Sequence, residues 1–583
     1  MFRTAVLIVA LAAPAAFAAE PSWIEESNRN AQILLDVMAR YNAEQAASLG
    51  VEGHDSEIFD LKPQFSEQQE ADLGTTISHL EQLHGNAGDP LVRRDLDILI
   101  GAARDQKHSA ELGRELTLPF FDLGQAVFQG FQNLLDSRVP KERQKAALTR
   151  LHRYVGAERG YEPITVLARK RYEEQAGNAK LIGPWTVEAQ QYLDNQPRYL
   201  DGIEKLLQES GFKGWQKDMQ SLRKQFGEYG KWATETVLPR ARKTNQLPPE
   251  LYADALRRFG VQMDPHEIMA RAAASYQQTR SELEPLARHI AEEHKWTKTD
   301  YRDVIRELKK QRIADDQLLK FYTGRLEQIE AIVRRENFVT LPNRKAVIRL
   351  ATLAESAAGP APHLDPPRLI GNTGEPAEFV LPTSNPNAKP GSVMDDFNYD
   401  AIAWTLTAHE ARPGHELQFA GMMEHGVSVA RVVFALNSAN VEGWALYAEA
   451  ALKKYLPPEG QLGTLQMRMM REARAFLDPM LNLGLIEPDA AKRFLMEEVM
   501  LSEPMAKQEV DRYTFQAPGQ ATAYFYGFSR LNAMRTRLEL ALAGRFDEHR
   551  YHDFIVAQGP LPFDLLEQAV NEEFLGAPPA AGQ

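Results

Sequence analysis

His409 and Glu410 stand side by side, and His415 follows six positions after the first histidine, in the run His409-Glu410-Ala411-Arg412-Pro413-Gly414-His415-Glu416. Imidazole beside carboxylate is what a catalytic zinc needs when thiolates are absent. Such an ion takes three protein ligands and keeps one position for water. A neighbouring carboxylate that is not a ligand can take that water's proton. The chain has no cysteine, which removes disulfides, thiolate metal sites and cysteine nucleophiles together. Any metal must be held by His, Asp or Glu.

The spacing is unusual. In H-E-x-x-H the two histidines are four apart and share a helical face. Six residues turn through about 600°, leaving the second histidine about 120° off that face. Pro413 offers a repair. It has no N–H for the carbonyl of residue 409, and it disfavours the α region for Arg412. The helix is expected to break there, with Gly414 taking up the dihedrals of the kink. His415 then returns at the start of a second helix.

A third ligand is expected from residues 437–449, an otherwise apolar helix whose acids are Glu442 and Glu449. Seven apart, they project from one face, and carboxylates on an apolar face are costly unless paired or metal-bound. Glu442, nearer in chain to His415, is assigned as the ligand. Glu449 is assigned to orienting a ligand histidine, as metal sites commonly require. Spacing alone leaves the reverse assignment open.

These segments, H-E-A-R-P-G-H-E-L-Q, N-V-E-G-W-A-L-Y-A-E, D-R-Y and P-G-Q-A-T-A-Y-F-Y-G, follow in that order over the C-terminal third. Together they resemble the large bacterial domain of unknown function 885 family, which is mostly helical and similar to gluzincin-like zinc metallopeptidases. The resemblance implies a zinc peptidase with His409, His415 and Glu442 as ligands and Glu410 as general base. The family pattern shares the six-residue spacing. Peptide hydrolysis also needs a donor for its tetrahedral oxyanion. Tyr524 is the first choice and Tyr513 the second, with Arg512 holding a substrate carboxylate and Gln520 beside it in substrate binding.

The elements that must position these residues read as helices. Stretches 27–47, 91–108, 141–175, 249–259, 265–294, 300–336 and 430–456 carry apolar residues at three- and four-residue intervals. Thr297 fits an N-cap with Asp300 three residues on. Short β-prone runs at 338–341, 346–350 and 377–381 break the pattern, with 359–367 and 382–390 read as loops. The expected fold is mostly α: a large two-lobed helical body, one domain over 19–583. It holds a small sheet at about 338–385 beside the metal-site helices and a catalytic region at about 395–530. The run 377–381 could act as an exposed edge to which a peptide adds.

The first residues read as a cleavable leader: Arg3, an apolar run from Ala5 to Ala13, and Ala16-Phe17-Ala18 before the cut. Its apolar run is shorter than the about 20 residues a membrane span needs. No cysteine means no lipid attachment, so a periplasmic or secreted protein without a membrane anchor is expected. The formal charge of −13 speaks against a nucleic-acid partner. The expectation is an exported zinc peptidase acting on short peptides. The alternatives are a peptide-binding protein that has lost catalysis and a zinc amidase acting on cell-wall peptides.

Overall fold

The computed structural model describes residues 22–59, 61–351, 355–356, 361–372, 374–383 and 394–576, so the leader expected at 1–18 lies outside the described residues. Helices dominate throughout, and one small three-stranded sheet interrupts them. Stretch 265–294 is the helix Pro265–Glu293, whose N-cap Asp264 accepts from the backbone N–H groups of His266 and Glu267. Stretch 141–175 divides into Lys141–Gln144, Ala146–Tyr154 and Ile164–Gln175. Pro163 lacks the N–H that a continuous helix would use there. Asp300, not Thr297, caps the helix Tyr301–Lys309, because its carboxylate reaches the N–H of Arg302 at 2.9 Å.

The apolar core is divided. One cluster draws only on residues between Ile58 and Val237. A second, around Trp444, draws heavily on the helices that carry the motif residues, and a third, around Leu465 and Met470, packs other helices against Ala401 and Ile402 of the helix that ends at His409-Glu410. Among the described residues no helix is long and apolar enough to cross a membrane.

The sheet has strands β1 (Val347–Leu350), β2 (His363–Asp365) and β3 (Glu378–Leu381) in the order β1-β3-β2. β1 runs parallel to β3 and β2 antiparallel to it. Two expectations are corrected here. Residues 338–341 form no strand: Phe338 and Val339 are buried, and the Phe338 ring packs 4.2 Å from that of His552. Core packing satisfies their apolar side chains without strand pairing. The second strand comes instead from 359–367, which reads as loop because Pro362 and Pro366 flank only three pairing residues. β3 is therefore central, and 377–381 offers no free edge; among the described residues the edges belong to β1 and β2.

Helices Ser438–Leu452 and Gln520–Leu542 touch backbone to backbone. A Cβ at Gly443 would lie 2.6 Å from the Gly527 carbonyl carbon, and one at Gly527 would lie 1.8 Å from the Ala439 oxygen. This contact brings Glu442 and Tyr524 to the same place. Gly527→Ala is expected to destabilise the protein by at least the 1–3 kcal/mol typical of overpacking. Urea denaturation reads the loss directly, and an unchanged midpoint would contradict it.

Candidate metal centre

The helix Asp400–Glu410 is apolar on nearly every side, and residues 401–409 are all buried. A helix apolar all round must lie inside, so its last turn delivers His409 to the interior. The helix stops at Glu410, the Arg412–Pro413 peptide is cis, and a second helix begins at His415. The break falls where Pro413 requires one. Gly414 serves mainly by leaving space: a Cβ there would lie 2.0 Å from the His409 oxygen.

Buried side chains hold this turn. The Arg412 guanidinium, 1% exposed, donates to Glu416 at 2.6 Å, Glu330 at 2.9 Å and the Arg344 carbonyl at 2.8 Å. The Trp444 indole donates to the Pro413 carbonyl at 2.9 Å. In the run Glu442-Gly443-Trp444, then, one residue faces the histidines, the next permits close helix contact and the third pins the turn.

The structure brings His409, His415 and Glu442 together, with one ligand atom from each within 4.8 Å of the others. Glu442 Oε2 lies 3.4 Å from His409 Nε2 and 3.3 Å from His415 Nε2. That oxygen is buried and has no hydrogen-bond partner among the described residues, as has His415 Nδ1. A buried carboxylate oxygen without a donor, facing two imidazole nitrogens, is costly unless a cation completes it. The three residues can hold a metal ion, and imidazole with carboxylate suits zinc.

Glu449 stands behind this group. Its Oε1 lies 2.6 Å from His409 Nδ1, and its Oε2 accepts from the Thr405 hydroxyl. With Nδ1–H donating to Glu449, His409 turns Nε2 towards Glu442 and His415, where a bound metal would take its lone pair in place of a proton. Burial alone would lower the His409 pKa, but Glu442 and Glu449 outweigh it and raise it to about 9. Burial likewise opposes ionisation of Glu442, yet the two histidines hold it well below the usual carboxylate range.

The His409 pKa is raised from about 6.5 in the unfolded chain to about 9 in the fold. Its stabilisation of the metal-free protein is full below the first value and lost as pH rises through the second. Chelated protein should therefore melt at progressively lower temperature from about pH 7 to 9.5, and zinc uptake at neutral pH should release a proton. Melting curves across that range test it; a flat profile would count against a cationic His409.

A cavity of about 380 Å³ opens on these residues. Glu410, half-buried, lines it, and among the described residues no hydrogen bond or ion pair engages its carboxylate. Tyr524 also lines it, its ring stacked 6.5 Å from that of His409 and its hydroxyl accepting from Arg512 at 3.1 Å. β2 contributes His363 and Leu364 to its wall.

Two expected residues sit elsewhere. Tyr513 is fully buried and donates to Glu509 at 2.6 Å. It lies behind the cavity wall, which corrects its assignment as a second oxyanion donor. Gln520 bonds Arg512 and donates to Ser438 at 2.9 Å, so it braces the wall and does not line it. Sequence reasoning missed Arg471, Arg474 and Glu509, which all line the cavity. Met467, Met470, Arg471 and Arg474 share one face of the helix Pro458–Asn482. Two arginines set among methionines on one helical face were the available signal.

The sequence family described as "Bacterial protein of unknown function (DUF885)" matches residues 44–570. Proteins of curated function yield no match. Two solved structures superpose with TM-scores of 0.75 and 0.74, at 18% and 17% identity, each over 95% of this chain and all of the other. The first is from Colwellia psychrerythraea and the second from Shewanella oneidensis. Both are provisionally named lipoproteins, the second of unknown function. At such identity the likeness is one of fold.

Proposed function

The chain belongs to the DUF885 family, and from that premise we propose that it is a zinc-dependent peptidase acting on short peptides outside the cytoplasm. One observation carries the reading: a His409/His415/Glu442 ligand set and the carboxylate of Glu410, unpaired among the described residues, open on one cavity. His409, His415 and Glu442 would hold the zinc ion, which when bound would acidify a water and polarise a substrate carbonyl. Glu410 takes the attacking water's proton and returns it to the leaving amine. Tyr524 donates to the oxygen that gains charge in the tetrahedral state, and Arg512 orients its hydroxyl. Glu449 keeps His409 in the tautomer the site needs.

The peptide itself has a backbone partner. Among the described residues β2 is paired with β3 on one side only, and its His363 and Leu364 line the cavity wall. An extended peptide can add there as a fourth strand. This moves the docking edge from 377–381 to 363–365. Export fits the leader-like first residues, and the solved relatives are provisionally named lipoproteins.

The test is direct. Purified protein should carry about one zinc per chain, as a three-ligand site requires, and should cleave members of a mixed peptide library. Product masses and elemental analysis give both answers. Failure to bind zinc even when it is added, or cleavage that survives its removal, would overturn the reading.

A further inference from the structure

Three guanidiniums line the cavity, those of Arg471, Arg474 and Arg512. They are not equivalent. Arg474 is spent on Glu509, which accepts from its Nε at 2.6 Å and its Nη2 at 2.8 Å. Arg512 donates to Gln520 and to Tyr524, and lies 3.4 Å from Glu509. Arg471 makes no hydrogen bond among the described residues. It is 5% exposed, its Nε and Nη1 are buried without partners, and its nearest carboxylate is Glu449 at 3.6 Å.

That carboxylate is already committed. Glu449 accepts from Thr405 and holds His409, and its buried ion pair with Arg471 at 3.6 Å still leaves the Arg471 Nε and Nη1 without hydrogen-bond partners among the described residues. A buried guanidinium with empty donors is expensive unless an anion completes it in the working state. Arginine meets a carboxylate with two parallel N–H groups and strong geometric preference. Gln508, whose Oε1 is also buried without a partner, lies on the same cavity.

The position of Arg471 limits which carboxylate fits. Its Nη2 is 3.6 Å from the Glu449 oxygen that itself lies 2.6 Å from the His409 ring. An extended peptide advances about 3.3–3.6 Å per residue. A carboxylate on Arg471 therefore belongs within one or two residues of a bond cleaved at the ligand cluster. Resting on the peptidase reading, we propose that Arg471 binds the free C-terminal carboxylate of the substrate, so that the protein is a C-terminal exopeptidase. An acidic side chain at the same place shares the chemistry, and the test separates the two.

The test compares N-acetyl-Ala-Ala-Phe as free acid and as C-terminal amide, with N-acetyl-Ala-Ala-Glu amide as the side-chain arm. Binding is measured by calorimetry on zinc-loaded Glu410→Gln protein and on the same protein carrying Arg471→Gln or Arg471→Lys, with zinc content and melting temperature checked for each. The free acid should bind about 10- to 100-fold more tightly than the amide, the range of a charge-assisted hydrogen-bonded contact. That ratio should collapse towards one in Arg471→Gln and be partly kept in Arg471→Lys.

Equal binding of acid and amide by the Arg471-intact protein overturns the proposal without needing any Arg471 variant to fold. A preference that survives Arg471→Gln assigns the carboxylate to the metal and overturns it too. Tighter binding of the Glu amide than of the free acid moves the site to an acidic side chain and overturns the exopeptidase assignment. Wild-type protein should release residues from the free acid and leave the amide intact. If the acid preference holds but nothing is hydrolysed, the carboxylate site stands and the peptidase reading falls. Internal cleavage of both peptides at equal rates leaves the peptidase reading and removes this one.

Discussion

Glu410→Gln is expected to keep its zinc and lose about 100- to 10,000-fold in kcat, the range that general base catalysis supplies. The substitution preserves size and most hydrogen bonding but removes the basic oxygen. Glu410 is the last residue of the helix Asp400–Glu410 and faces the cavity, outside the three-residue ligand set. Neither metal retention nor ground-state binding should depend on its proton. Zinc content and KM should therefore stay near wild type while kcat falls. Elemental analysis with steady-state kinetics on one preparation gives all three quantities. A variant that keeps its zinc and hydrolyses peptides at the wild-type rate would place the base elsewhere.

The second large effect separates the two glutamates of the helix Ser438–Leu452. Glu442→Gln should abolish zinc retention, because it neutralises the carboxylate oxygen that faces both His409 Nε2 and His415 Nε2. His409→Ala and His415→Ala should do the same. Glu449→Gln should instead weaken zinc affinity or activity by about 10- to 100-fold, as changes behind a ligand do, because it meets only the far nitrogen of His409. Competition with a chelator of known affinity ranks the variants. The opposite order would mean that Glu449 is the ligand.

Much of this site was legible because its signals are local. The break at Pro413 follows from a missing N–H within one turn, and the shared face of Glu442 and Glu449 follows from helical periodicity over seven residues. The mostly helical fold was legible for the same reason. The sheet was less so. Residues 338–341 and 363–365 exchanged roles because strand identity depends on a partner far along the chain: β2 exists only by pairing with β3, while Phe338 and Val339 found a core to fill.

Tyr513 and Tyr524 show where local reasoning stops. Both are tyrosines within the C-terminal motifs, yet one donates to Glu509 behind the wall and the other faces the cavity beside His409. The sequence by itself determined which residue types could hold a metal without thiolates, where the ligand helix must break and which face of the 437–449 helix carries its acids. Only the tertiary structure decided that Glu442 meets both histidines while Glu449 stands behind one, and that Arg471 reaches the cavity with its donors unfilled. The physical reason is that helical periodicity fixes direction within an element. Contact between elements is set by backbone approach, as at Gly443 and Gly527, and no local spacing encodes that distance.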